Sequence, residues 1–218
     1  MSLELVRAEN TKSEIRIPKS EIRNCSPMTT TRLEAFSDGV IAILITIMVL
    51  ELRAPHDSSL AALRPLWPVF LSYVMSFIYL GIYWNNHHHL LHASEHVNGR
   101  ILWANLHLLF WLSLIPFATA WMGENHFGGS SVALYGVVLL CVAISYFILV
   151  RALLALHGSQ SVLAAALGSD FKGKISIVLY LVAIALTFIN NWIGFAIYVL
   201  VAIMWLVPDK RIERRIVD

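Results

Sequence analysis

Charge is the scarcest property of this chain. Only 14% of its 218 residues are Asp, Glu, Lys or Arg, against about 25% in a soluble domain. That shortfall excludes an ordinary water-facing surface. Cysteine is nearly as rare, with Cys25 and Cys141 alone, too few for a disulfide scaffold. One sits in a polar arm and the other inside an apolar tract, so both are expected as free thiols. No Gly-rich phosphate loop and no nucleophile–base motif occurs, so an enzyme is not expected. Residues 1 to 30 lack the apolar stretch that a signal peptide requires. No cofactor and no nucleic-acid partner is expected.

What is present is apolar. Hydrophobic residues make up 58% of the chain, and the mean hydropathy is +0.69. A bilayer core of ~30 Å needs about 20 mostly apolar residues per spanning helix. The first such tract runs from Leu33 to Leu52, and the second from Leu66 to Trp84 after Arg64-Pro65. A polar stretch from Asn85 to Arg100 follows, rich in histidine. The third tract is Ile101 to Met122, and Gly128-Gly129 breaks the chain before the fourth, Ser131 to Leu156. Val162 to Leu167 is too short to span and reads as an interfacial or loop helix. Ile175 to Val207 is interrupted only at Asn190-Asn191 and reads as a tight helical hairpin, with a re-entrant hairpin as the alternative. The expectation is an all-α, polytopic membrane protein with six transmembrane helices. Residues 1–28 form a polar basic cytoplasmic arm, or alternatively an interfacial helix drawn to anionic lipid. Residues 29–208 form the membrane domain, and 209–218 a short basic tail.

The basic residues orient these spans. With the N-terminus inside, only Arg53 and Arg64 fall on the outer side, and the other 14 of the 16 Lys and Arg lie on cytoplasmic segments. This positive-inside bias predicts both termini in the cytoplasm and a multi-pass protein of the cell membrane. Trp67, Trp84, Trp103, Trp121, Trp192 and Trp205 lie near tract ends, where an aromatic belt places them.

The first tract breaks the rules of a bilayer. Asp38 lies six residues inside it, and a carboxylate at mid-membrane costs about 2.5–3.5 kcal/mol on insertion scales. Asp38 therefore faces protein or water. His87 to His89, Asn105 and His107 lie at a matching depth and are its candidate partners. A plain polar staple between helices is the bland reading. Ile43, Thr46, Ile47 and Leu50 follow at i, i+3, i+4 and i+7 and form one stripe. Periodicity alone leaves open whether that stripe faces lipid, core or a hydrophobic constriction. His88, His92 and His96 are spaced four apart, as metal-binding imidazoles can be. No second cluster of similar density supports them.

Arg32-x-x-x-Phe36-Ser37-Asp38-Gly39, opening a span that reads Val-Ile-Ala-Ile-Leu-Ile-Thr-Ile-Met-Val-Leu-Glu-Leu, resembles a family signature. The family is that of the prokaryotic transmembrane protein 175 channels, the lysosomal-type potassium channels. Gly81-Ile-Tyr-Trp-Asn-Asn-His87-His88, Asn105 with Leu-Phe-Trp-Leu-Ser-Leu-Ile-Pro116-Phe, and Trp205-Leu-Val-Pro-Asp-Lys-Arg-Ile-Glu agree with it. The resemblance covers about Thr29 to Glu213. It implies a potassium-selective channel of the inner membrane, a homotetramer with potassium as the permeant ion and the first helix of each subunit lining the pore. Ile43, Ile47 and Leu50 fall on the family's constriction positions, and Thr46 on the hydroxyl linked to selectivity. Arg32, Phe36, Ser37 and Asp38 are implied to anchor the pore helix, with His87 and Asn105 as partners. A Thr-Val-Gly-Tyr-Gly filter loop is absent from the chain. The alternatives are a secondary transporter, although the halves show no clear internal repeat, and a His-rich membrane metal-binding protein.

Overall fold

The fold is taken from a computed structural model, which describes residues 28–94, 96–158, 161, 163–164 and 171–206. The basic arm before Met28, the tail after Leu206 and most of the proposed 162–167 helix lie outside the described residues. The two-residue strand β1 (Met28–Thr29) leads into helix α1 (Thr31–Val49). A 3-10 segment (Leu60–Leu66) precedes α2 (Trp67–His92). Strand β2 (His96–Val97) is followed by α3 (Gly99–Ser113), α4 (Ile115–Glu124), α5 (Gly129–His157), α6 (Phe171–Thr187) and α7 (Asn191–Leu206).

Local chemistry sets these boundaries. The Ser59 amide and hydroxyl donate to the Asp57 carboxylate at 3.0 and 2.9 Å, holding it below the usual carboxylate range and turning the loop before the 3-10 segment. Pro68 starts α2 at a position whose amide needs no helical partner. Asn98 caps α3, its side chain accepting from the Ile101 amide at 3.1 Å. The third tract is interrupted at Leu114, because Pro116 cannot donate into the ladder. The α6–α7 hairpin turns at Asn190, whose side chain accepts from the Trp192 amide at 2.9 Å.

One boundary differs from expectation. The second helix does not end near Trp84 but continues through the histidine run to His92. No glycine or proline interrupts that run, and buried Leu90 and Leu91 give it an apolar side to pack. His88 and His92 therefore share a helix, but His96 lies on β2 and not on the same helix face.

Three stretches among the described residues are long and apolar enough to cross a membrane: Leu60–His92, Gly99–Glu124 and Gly129–His157. Asn191–Leu206 is apolar but shorter. At one end of the bundle, β1 pairs antiparallel with β2, Thr29 opposite His96, and the Trp205 indole donates to Ser176 at 2.9 Å. At the other end Trp67, Phe127 and Trp192 stack, with centroids 5.3–6.2 Å apart. Phe127 is fully buried there at φ 59°, a left-handed backbone that costs about 1–3 kcal/mol in a non-glycine residue. The aromatic stack and a 2.6 Å bond from the Asn191 side chain to the Phe127 carbonyl hold it in place.

Between the ends, the core is built around hydroxyl groups. Tyr79 donates to the Tyr198 carbonyl at 2.7 Å, and Tyr180 donates to Tyr79 at 3.2 Å. Ser76 bridges Thr119 and Tyr135 at 2.5 and 3.0 Å. These bonds tie α2 to α4, α5, α6 and α7. Helices immersed in lipid gain no hydrophobic drive toward one another, so such bonds and close packing hold them. Gly136 is where that packing is tightest. A Cβ there would lie 2.6 Å from Tyr198 Cζ and 2.9 Å from Ile184 Cγ1. Gly136→Ala is expected to destabilise the protein by about 1–3 kcal/mol in thermal unfolding in detergent. Gly81→Ala, with nothing within 4 Å of the added carbon, is expected to leave stability equal or slightly higher.

Candidate functional site

Helix α1 has two unlike faces. Leu33, Ser37, Ile41, Leu44 and Met48 are buried against the bundle. Phe36, Ile43, Ile47 and Leu50 stand 52%, 57%, 42% and 74% exposed. Arg32, Gly39, Ala42 and Thr46 are exposed beside them. The stripe noted in the sequence is thus left uncovered among the described residues. Thr46 turns its hydroxyl back to donate to the Ile43 carbonyl at 2.9 Å, leaving the oxygen's lone pairs on the open face. Arg32 forms no ion pair among the described residues.

A polar chain holds the covered face. Ser37 donates to the Leu33 carbonyl at 2.8 Å. The Asn105 amide donates to Ser37 Oγ at 2.9 Å, and its carbonyl lies 2.7 Å from His87 Nε2. Since a carbonyl only accepts, His87 Nε2 carries the proton. All three side chains are fully buried. The chain joins α1, α2 and α3 at one depth. It gathers three of the six residues expected to anchor the first helix. Asp38 lies beside them, while Arg32 and Phe36 point away from the bundle.

Asp38 does not find the direct partner expected of it. Its Oδ1 is buried without a hydrogen bond, as is Nδ1 of His87. The two residues interact electrostatically instead. Asp38 lines a cleft with Ile41, Ala42, Ile45 and Trp84. His107, a second candidate partner, is exposed and accepts from the Trp111 indole at 3.0 Å.

The carboxylate that pairs with histidine is Glu34, which sequence reasoning missed. Glu34 Oε1 lies 2.7 Å from His88 Nδ1. A signal existed: Glu34 and Asp38 are four apart on one helix face, and two carboxylates there call for a basic neighbour. His88 also stacks on Trp84 and His92, at 6.2 and 5.9 Å between centroids. Among the described residues no three His, Cys, Asp or Glu side chains converge as metal ligands.

Asn105→Leu would leave the buried Ser37 oxygen without its donor and the His87 N–H without an acceptor. A buried unsatisfied group costs about 1–3 kcal/mol. Unfolding of Asn105→Leu, Ser37→Ala and the double variant is expected to be non-additive, with a coupling of about 0.5–3 kcal/mol. Strict additivity would contradict the chain of bonds.

Comparison with known proteins follows the same segment of chain. The family profile described as endosomal/lysosomal potassium channel TMEM175 matches residues 32–116, the stretch holding the whole polar chain and the α1 stripe. A potassium channel of Chryseobacterium sp. (strain P1-3) is 57% identical over 187 residues, covering 86% of this chain and 97% of that one. A potassium channel of Chamaesiphon minutus is 30% identical over 191 residues, covering 80% and 92%. The crystal structure of a lysosomal potassium-selective channel TMEM175 homolog from Chamaesiphon minutus superposes with a TM-score of 0.72 at 29% identity, over 82% of this chain and 96% of that one. The motif, the fold and near full-length similarity agree: this chain belongs to the TMEM175 family.

Proposed function

We propose that the chain is a potassium channel whose pore is lined by α1 from four identical subunits around one axis. The observation that carries this reading is the open face of α1. Phe36, Ile43, Ile47 and Leu50 are large, apolar and about half exposed or more, while the opposite face is locked to α2 and α3. A closed ring of copies gives such a face a single axis to meet on. The potassium channels of Chryseobacterium and Chamaesiphon minutus support the ion and the reaction class.

The membrane arrangement follows. Six crossings are assigned to α1, α2, α3 with α4, α5, α6 and α7, with both termini in the cytoplasm of the cell membrane. The antiparallel order of the bundle supports this, since the Trp67–Phe127–Trp192 stack gathers the starts of α2 and α7 at one end. The β1–β2 pair and Trp205 lie at the other.

Conduction then depends on rings of side chains. Ile43, Ile47 and Leu50 narrow the axis to an apolar neck, which gates by excluding water. Thr46, one residue before Ile47, presents oxygens to a partly dehydrated ion. Potassium gives up its water at a lower cost than sodium does, so a neck that strips water favours it. Arg32 and Phe36, exposed and unpaired among the described residues, face the neighbouring copies. Ser37, Asn105 and His87 fix the helix so that the rings stay in register.

Purified protein in liposomes is expected to pass potassium. Ile43→Asn and Leu50→Asn are expected to raise that flux several-fold by wetting the neck. Absence of flux, or flux untouched by both changes, would contradict the proposal. Thr46→Val is expected to move the reversal potential under a potassium/sodium gradient toward zero, read in planar bilayers.

A further inference from the structure

We propose that the cleft beside Asp38 is a seat for a second copy of this chain, filled by the exposed face of that copy's α3, with the Trp103 indole donating to the Asp38 carboxylate. The ring that brings two copies together is the one proposed above, on which this seat rests. Half of the seat is built into each chain. Asp38, Ile41, Ala42 and Ile45 of α1 and Trp84 of α2 line a cleft of about 540 Å3, its open mouth included. The walls are apolar except for the Asp38 carboxylate, whose Oδ1 has no hydrogen bond among the described residues. A carboxylate oxygen left so inside a membrane is costly. A fitting occupant is large and apolar and carries one N–H donor.

Helix α3 presents such a face. Trp103, Leu106 and Phe110 fall at i, i+3 and i+7 and form one exposed stripe, with Trp103 open to 75%. The Trp103 indole N–H makes no hydrogen bond among the described residues. Leu106 and Phe110 supply the apolar bulk.

The depths agree. α1 and α3 both begin at the paired strands β1 and β2, so they run in the same direction. The bond from Asn105 to Ser37 sets their offset. On that offset Leu106 stands level with Asp38, and Phe110 with Ala42. Trp103 lies one turn nearer the strands, about 4.5 Å along the axis at 1.5 Å per residue, a step that an indole spans. Rotation about an axis along the membrane normal preserves depth, so these levels hold between copies.

Symmetry brings the two faces together. α1 touches both α2 and α3. α2 closes the flank of α1 that carries Glu34 and the cleft, and α3 is bonded at Ser37, away from that flank. Copies related head to tail around α1 set unlike flanks together, the α3 side of one against the α2 side of the next. The small side chain of Ala42 lets a neighbouring helix come close. Trp103 of one copy then donates to Asp38 Oδ1 of the next, a charge-assisted hydrogen bond. The cleft is closed by a residue that its own chain does not bring to it.

Crosslinking of the reconstituted full chain tests the seat. In a Cys25→Ser, Cys141→Ser background, Ala42→Cys with Phe110→Cys is expected to give, with a short bifunctional thiol reagent, a ladder of covalent oligomers that ends at four chains. Neither single variant is expected to crosslink, because unlike faces meet. No ladder in the double variant, crosslinking in either single variant, or an equal ladder from Ala42→Cys with Leu181→Cys, which is exposed on α6, would overturn the seat. Trp103→Phe keeps an aromatic ring and removes the N–H. It is expected to raise roughly tenfold the concentration at which the oligomer dissociates on dilution in detergent, the size of one hydrogen bond to a charged group. In an Asp38→Leu background the same change is expected to have no further effect. An equal tenfold effect there would overturn the Trp103–Asp38 bond. A ladder that ends at four in a chain that passes no potassium would refute the channel reading and leave the seat standing. Potassium flux at the unmodified rate through a chain whose two cysteines never crosslink would refute the seat and leave the channel.

Discussion

The arrangement depends on one buried chain of hydrogen bonds, Leu33 carbonyl to Ser37 to Asn105 to His87. In hydrocarbon a helix is not driven against its neighbours by water, and polar contacts between helices decide its rotation. This chain fixes the rotation of α1. With Ser37 turned toward Asn105, the residues half a turn away have no choice of direction. Ile43, Thr46, Ile47 and Leu50 must look outward. Rotate α1 by one residue and the stripe would enter the bundle while Ser37 met lipid. The polar network and the apolar stripe are thus one feature seen from two sides. In the channel proposed above, that outward stripe is the pore lining.

The rest of the fold braces that rotation. The hydroxyl core of Tyr79, Tyr180, Ser76, Thr119 and Tyr135 makes α2, α4, α5 and α6 a rigid wall. The Trp67–Phe127–Trp192 stack closes one end of the wall and the β1–β2 pair ties down the other. α1 docks on α2 and α4 of this wall and on α3 beside it. An element covered on one side only among the described residues is suited to moving as a unit.

Much of this was legible in the residues, for physical reasons. Length and hydropathy locate helices well when a membrane demands about 20 apolar residues for each. That is why the first, third and fourth tracts, the Asn190-Asn191 hairpin and the break ahead of α5 lie close to helices and turns of the structure. Asp38 stood out because burying a carboxylate is costly, and its neighbour Ser37 does enter the buried network. What periodicity did not supply was pairing. Which histidine meets which carboxylate is set by the rotation of two helices against each other. His88 to Glu34, rather than a histidine to Asp38, could be read only once α1 and α2 were placed. The extension of α2 to His92 was hidden for another reason. Polar residues look like loop, yet nothing in Asn85 to His92 breaks a helix.

The central claim is that the open face of α1, and not its buried face, meets the permeant ion. Single cysteines placed in a Cys25→Ser, Cys141→Ser background, with silver ion as the thiol reagent, test it most directly. Potassium current through Ile43→Cys and Ile47→Cys is expected to be blocked, while current through Ile41→Cys and Leu44→Cys persists. Block at the buried pair, or none at the exposed pair, would contradict the account.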